Sequence, residues 1–263
     1  MPATVLGDSG GPVTSPDVDI PPSAYGVAFP LAVVGGYVDA VGFLTLAGLF
    51  VAHMSGNTVR LGVFVGEGDW SLAAQRLVPI IVFAVGVAGG IALVEALRRR
   101  SAPAPAARVL SVEAGLLLAF TLVGRVVLDG HGAAGGSWDY YLLAVIAVLA
   151  MGWQNAALRR VAGVPVHTTF VTGILTHLAE ESVNGWYAWR DMRRAGTARR
   201  PDDAVAVAFR RARLHGGVWA SYLGGGVLGA FLAFRWDLWS LTLPLAVLVV
   251  LVAIDLARNA ARA

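Results

Sequence analysis

Asp39 stands inside the run GYVDAVGFLTLAGLFVAHMSGNTVRLG, residues 36–62, and is the only acidic residue in it. A charge in a segment fit to cross a bilayer costs at least about 2.5–3.5 kcal/mol. Asp39 must therefore face protein or water, take up a proton, or meet a partner. Burial favours the neutral form of a carboxyl group, which opens a proton-carrying role. A second block, GWQNA at residues 152–156, aligns Asn155 with Asp39 and sets Gln154 beside it. Side-chain amides both donate and accept there. The competing reading of Asp39 is a structural hydrogen bond that ties two helices together.

Each marked run leads into a polar break and then a weakly amphipathic piece, His53–Gly66 and Val164–Glu181. Gly56 and Gly173 permit unusual backbone angles. Ser55, Asn57, Thr168, Thr169 and Thr172 are capping types, whose oxygens accept from the free N–H groups of a helix start. Each break thus reads as the N-terminus of a half-helix, with partial positive charge suited to an anionic or carbonyl group. Two such ends are expected to converge near the bilayer midplane. The expected substrate or ion pathway is Asp39, Ser55, Gly56, Asn57, Gln154, Asn155, Thr168, Thr169, Thr172 and Gly173. The plainer alternative is re-entrant turns with architectural caps.

Other polar residues receive plainer readings. Arg60 either pairs with Asp39 or snorkels outward. His53 and His167 read as hydrogen-bonders, and His167 and His177 lack metal spacing. Glu95 with Arg98 and Arg99, and Glu113 with Arg108, read as interfacial salt bridges. Gly86, Gly90, Gly225 and Gly229 form small-xxx-small pairs for helix packing.

These residues need an apolar frame, and the composition supplies one. The chain is 57% hydrophobic and 14% charged, with a mean hydropathy of +0.67. Soluble domains carry about 25% charged residues, so an integral membrane protein is indicated. With no cysteine, disulfides, thiolate metal sites and cysteine nucleophiles are excluded. Every basic residue is arginine. Residues 1–24 are rich in Pro, Gly, Ser and Asp, without a secretory signal's basic start, and read as a disordered tail.

Six apolar stretches follow, at about 27–49, 77–97, 109–128, 140–158, 214–234 and 238–256. With the N-terminus inside, sixteen arginines fall on cytoplasmic segments and three outside, so both termini are expected to be cytoplasmic. The arginines account for the basic pI without nucleic acid.

The chain also repeats itself. Gly36-Tyr37-Val38-Asp39-Ala40 matches Gly152-Trp153-Gln154-Asn155-Ala156 at an offset of 116 residues. Met54-Ser55-Gly56 and Leu61 match Val171-Thr172-Gly173 and Leu178 at 117. Phe83, Gly86 and Gly90 match Tyr222, Gly225 and Gly229 at 139, the excess falling in an arginine-rich cytoplasmic insertion at about 189–213. The expected fold is all-α: about six transmembrane helices as two inverted three-helix repeats, 25–130 and 137–263, each with a broken or half-helix segment. Inversion follows because three spans per copy is odd, and such repeats are a common transporter plan.

The blocks GYVDAVGFLTLAGLFVAHMSGNTVRLG and MGWQNAALRR…HTTFVTGILTHLA resemble the signatures of the YoaK-like family, bacterial integral membrane proteins of unknown function. The resemblance covers about residues 26–260. It implies a fold of about six spans and two marked segments, but no established activity. Where that family shows Asn-Met-Thr-Gly-Asn, this chain has His53-Met54-Ser55-Gly56-Asn57. The expected function is a permease of the bacterial cytoplasmic membrane for a small polar or anionic solute, with proton coupling through Asp39. A passive channel or facilitator, and a non-transporting scaffold or partner subunit, are the alternatives. Lipid and a small solute are the expected partners, nucleic acid is not, and homo-oligomerisation stays open. No metal or other cofactor is expected. An enzyme is not expected either: there is no His-Glu metal pair, no nucleophile beside a base, and no Gly-rich phosphate loop.

Overall fold

A computed structural model describes residues 22–128, 132–161, 171–194 and 203–261. The expected tail falls almost wholly outside them. The described chain is all-helical: α1 (Pro22–Thr45), α2 (Met54–Glu67), α3 (Trp70–Arg99), α4 (Pro105–Val127), α5 (Trp138–Val161), α6 (Val171–Arg194), α7 (Asp203–Trp236), a 3₁₀ turn at Asp237–Leu241, and α8 (Thr242–Ala260). Among the described residues, four stretches are long and apolar enough to cross a membrane: Gly26–Thr45, Trp70–Arg99, Pro105–Val127 and Val205–Ala260, the last taking in both α7 and α8. The six expected apolar stretches lie largely in α1, α3, α4, α5, α7 and α8.

Local chemistry sets the helix ends. Gly68 closes α2 in the left-handed conformation, which a glycine adopts without a Cβ clash. Asp69 next to it caps α3, its carboxylate accepting from Leu72 N–H at 2.9 Å. Pro105 opens α4, where its missing N–H costs nothing. The arginine-rich 189–213 stretch is helical at both of its described ends, prolonging α6 and α7.

The core forms where α1 lies along α7 and α3 lies along α5. α2 packs on α3, α6 on α7, and α4 on both α5 and α8. Glycines let the central pairs approach backbone to backbone. A Cβ on Gly36 would strike the Tyr222 carbonyl, and one on Gly225 the Val33 carbonyl. On the other pair, a Cβ on Gly152 would lie 2.6 Å from the Phe83 carbonyl and one on Gly86 2.9 Å from the Leu149 carbonyl. Val34, Tyr37, Val41, Leu117, Phe120, Leu143 and Met151 fill the interior. The exterior is apolar as well, with Ile81, Val85, Phe231 and Val249 exposed, a surface that fits hydrocarbon rather than water.

Candidate functional site

α1 ends at Thr45, four residues before the apolar stretch does. Ala47 and Gly48 then take left-handed backbone angles and turn the chain. Two arginines hold that turn. Arg60 Nη1 donates to the Gly48 carbonyl at 2.6 Å, and Arg76 Nη2 to the Ala47 carbonyl at 3.1 Å. Guanidinium groups suit carbonyls at a helix C-terminus, where partial negative charge collects. Val51 folds back against Gly42, which carries Ala52 and His53 onto Asp39.

Asp39 is 5% exposed and has three donors around it. Its Oδ1 accepts from Ala52 N–H at 2.8 Å. Its Oδ2 lies 2.7 Å from His53 Nδ1 and accepts from the Tyr222 hydroxyl at 2.7 Å. The hydroxyl and Nδ1 are 3.0 Å apart, which closes a triangle. Donors so placed offset the desolvation of a buried carboxylate. The short contact to Nδ1 places one hydrogen between the two groups, carried by the imidazole, neutral or charged, or by the carboxyl group. Tyr222 reaches this point from α7, 183 residues along the chain. A pocket of about 290 Å³ opens over Asp39 and Tyr222, lined also by Gly36, Phe43, Phe50 and Gly226 among others. Apart from Asp39 and the tyrosine, its wall is apolar.

The other expected pathway residues are dispersed. Asp39 lies six residues from the end of α1, because the turn comes earlier than hydropathy implies. Ser55, Gly56 and Asn57 are not the break itself. They form the first turn of α2, which no side chain caps. Ser55 is exposed. Asn57 is buried, and its Nδ2 donates backward to the Phe50 carbonyl at 2.6 Å while Oδ1 has no partner. Gly56 sits against the Phe50 ring. Gln154 is buried on α5, its Nε2 donating to the Leu31 carbonyl at 3.0 Å. Gln154 Oε1, which has no partner, and the Tyr222 ring flank Gly35, so Gln154 borders the trio. Asn155 is also buried. Thr172 is exposed at the start of α6, and Gly173 precedes Ile174, which packs with Ala28 and Ala32 of α1. Thr168, Thr169 and His167 lie outside the described residues, so the expected convergence of two half-helix ends falls partly there. Among the described residues, α2 and α6 do not pack on each other.

Arg60 is committed to the turn rather than to Asp39. Glu95 bonds Arg98 and Arg99 at 2.7 and 2.8 Å, as expected. Glu113 departs from its reading: it is fully buried on α4 and neither oxygen has a partner, because α4 turns it toward the core instead of Arg108. Sequence reasoning missed Tyr222 and discounted His53. The available signal for Tyr222 was a hydroxyl where the aligned residue, Phe83, has none.

A model of the family described as a protein of unknown function (DUF1275) matches residues 27–254. The chain belongs to this family. The match runs from α1 into α8 and takes in every site residue above. The UPF0700 transmembrane protein YoaK of Bacillus subtilis (strain 168) is 27% identical over 153 residues, 57% of this chain and 64% of YoaK. The UPF0700 transmembrane protein RA0705 of Rhizobium meliloti (strain 1021) is 31% identical over 156 residues, 59% of this chain and 60% of that protein. Each alignment thus covers less than two thirds of the relative. No solved structure matches. Family membership and the apolar exterior together make this a membrane protein.

Tyr222→Phe keeps the ring and removes one donor from the carboxylate. Bonds to charged groups are worth about 1.5–3 kcal/mol. The variant is expected to fold and to melt at a lower temperature than the parent in detergent, followed by circular dichroism.

Proposed function

We propose that the chain is a proton-linked permease for a small solute, with Asp39, His53 and Tyr222 as its proton-binding centre. The observation that carries this reading is a nearly buried carboxylate, sharing a proton with a histidine, at the floor of a pocket between α1 and α7. Intramembrane acids in such places mark ion and proton pathways.

The architecture of the proposal is two inverted copies of one unit, α1–α4 and α5–α8, with both termini cytoplasmic. The helix contacts support it. Exchanging α1 with α5 and α3 with α7 maps the pair α1–α7 onto α5–α3. The offsets of 116 and 139 map the atoms too. Gly36 meets the Tyr222 carbonyl and Gly226 N, while Gly152 meets the Phe83 carbonyl and Val87 N. Gly225 meets the Val33 carbonyl, while Gly86 meets the Leu149 carbonyl. Paired crossings of this kind suit rocking of one bundle against the other about a fixed site.

The carboxylate works against an anionic solute, so a polar or cationic one fits better. Asp39→Asn in proteoliposomes loaded with a pH-sensitive dye tests the reading. Solute addition is expected to move protons with the parent protein and not with the variant. Solute uptake that persists in Asp39→Asn identifies a passive facilitator instead. Absence of any solute or proton movement across a broad metabolite panel leaves the scaffold reading.

A further inference from the structure

The pocket over Asp39 has an aromatic side that proton exchange alone does not use. Phe43 and Phe50 lie with ring centroids 4.9 Å apart and tilted. Phe50 meets His53 edge-on at 6.1 Å, and His53 meets Tyr222 edge-on at 5.3 Å. Four rings thus touch in sequence, and the last two, His53 and Tyr222, bond the carboxylate. Phe43, Phe50, Tyr222 and Asp39 all line the same pocket of about 290 Å³.

Rings present negative faces, and a carboxylate at their base adds a full charge. Together they recognise ammonium groups that carry apolar substituents, quaternary ones above all. An inorganic cation would lack oxygen ligands here, because Asp39 already accepts three hydrogen bonds and the remaining wall is apolar. An anion would meet a like charge. Among the described residues, His53 and Tyr222 are the titratable groups that touch Asp39. Arg60, the next cation along the chain, is turned to the Gly48 carbonyl.

The geometry points to an organic ammonium ion of benzylic size as the ligand of this pocket, bound in exchange for the proton held by Asp39 and His53. One positive charge enters and one proton leaves to solvent, given up by a His53 that starts as imidazolium beside the carboxylate, so the site's net charge is unchanged. This rests on the reading of the trio as the proton-binding centre, and it adds the ligand's class and the sense of coupling, which is exchange rather than co-transport.

Benzyltrimethylammonium is the probe, because a quaternary nitrogen carries no proton of its own. Purified protein in weakly buffered detergent is expected to bind it and to release close to one proton per chain. Affinity should rise by up to about tenfold per pH unit across the range in which the trio holds its proton. Neopentylbenzene, its neutral carbon isostere, and benzylsulfonate should fail to displace the labelled probe. Phe43→Leu, at a half-exposed position remote from the core, should weaken binding about two- to fivefold while leaving the melting temperature in place. Displacement by the neutral or anionic analogue, binding with no proton release, or no binding to the parent protein each overturns the inference. Proton-linked flux of another solute without probe binding also overturns it, yet leaves the permease standing. Binding with proton release but no flux in liposomes supports the ammonium site and removes the permease.

Discussion

Gly36→Leu and Gly152→Leu are each expected to abolish recovery of folded, monodisperse protein, while Gly224→Ala leaves it unchanged. In the two leucine variants the added side chain grows into a neighbouring main chain. On Gly36 it meets the Tyr222 carbonyl, and on Gly152 the Phe83 carbonyl at 2.6 Å. A flexible side chain can swing aside, but a helix carbonyl moves only with its helix. The cost therefore exceeds the ~1–3 kcal/mol usual for an overpacked core. Gly224 has nothing within 4 Å, so a methyl group there is free and improves helix propensity. Size-exclusion profiles and thermal melts in detergent measure all three. If either leucine variant elutes and melts like the parent, the close crossings are not what hold α1 to α7 and α3 to α5. The test is also one of the duplication: equivalent positions should fail alike.

What could be read in the sequence, and what could not, divides along physical lines. Asp39 was legible because an acid among apolar residues needs a reason that few structures supply. The glycine blocks were legible because close helix approach demands small residues at fixed spacing, and the same spacing occurs twice. The end of α1 was not. Leu46-Ala47-Gly48-Leu49 is apolar throughout, so hydropathy runs on past Thr45, whereas the backbone turns at Ala47 and Gly48. The chain therefore breaks at that turn, ahead of Ser55-Gly56-Asn57. Capping residue types there suggested a capped helix start, yet Asn57 spends its amide on Phe50 instead. His53 was discounted because a lone histidine carries no spacing to reason from. Tyr222 was invisible for a different cause: its partner is 183 residues away, and an aromatic beside glycines on a helix reads as packing. Glu113, close to the start of its apolar stretch, looked interfacial, and only the packing of α4 shows it inside.

The polar trio stands at one of the two equivalent sites of the proposed duplication, which makes a sharper experiment possible. At the repeat offsets Asp39 corresponds to Asn155, His53 to Phe170 and Tyr222 to Phe83. The equivalent positions thus carry an amide and two phenylalanines in place of an acid, an imidazole and a phenol. The combined variant Asp39→Asn, His53→Phe and Tyr222→Phe gives this site the residues of its equivalent. Its packing is expected to survive, because the α3–α5 crossing brings Phe83 against Gly152 as the α1–α7 crossing brings Tyr222 against Gly36, and because removing all members of a buried polar cluster costs far less than orphaning one. Melting within a few degrees of the parent is the expected result. Proton movement in liposomes is expected to fall to that of protein-free vesicles, since no titratable group is left in the pocket. Single substitutions should melt lower than the triple, because each strands partners that the triple removes. A triple variant that still couples solute to protons would locate the proton elsewhere, with buried Glu113 the first place to look. One that unfolds would assign the trio to architecture, with α1 and α7 joined through Asp39 and Tyr222 rather than working through them.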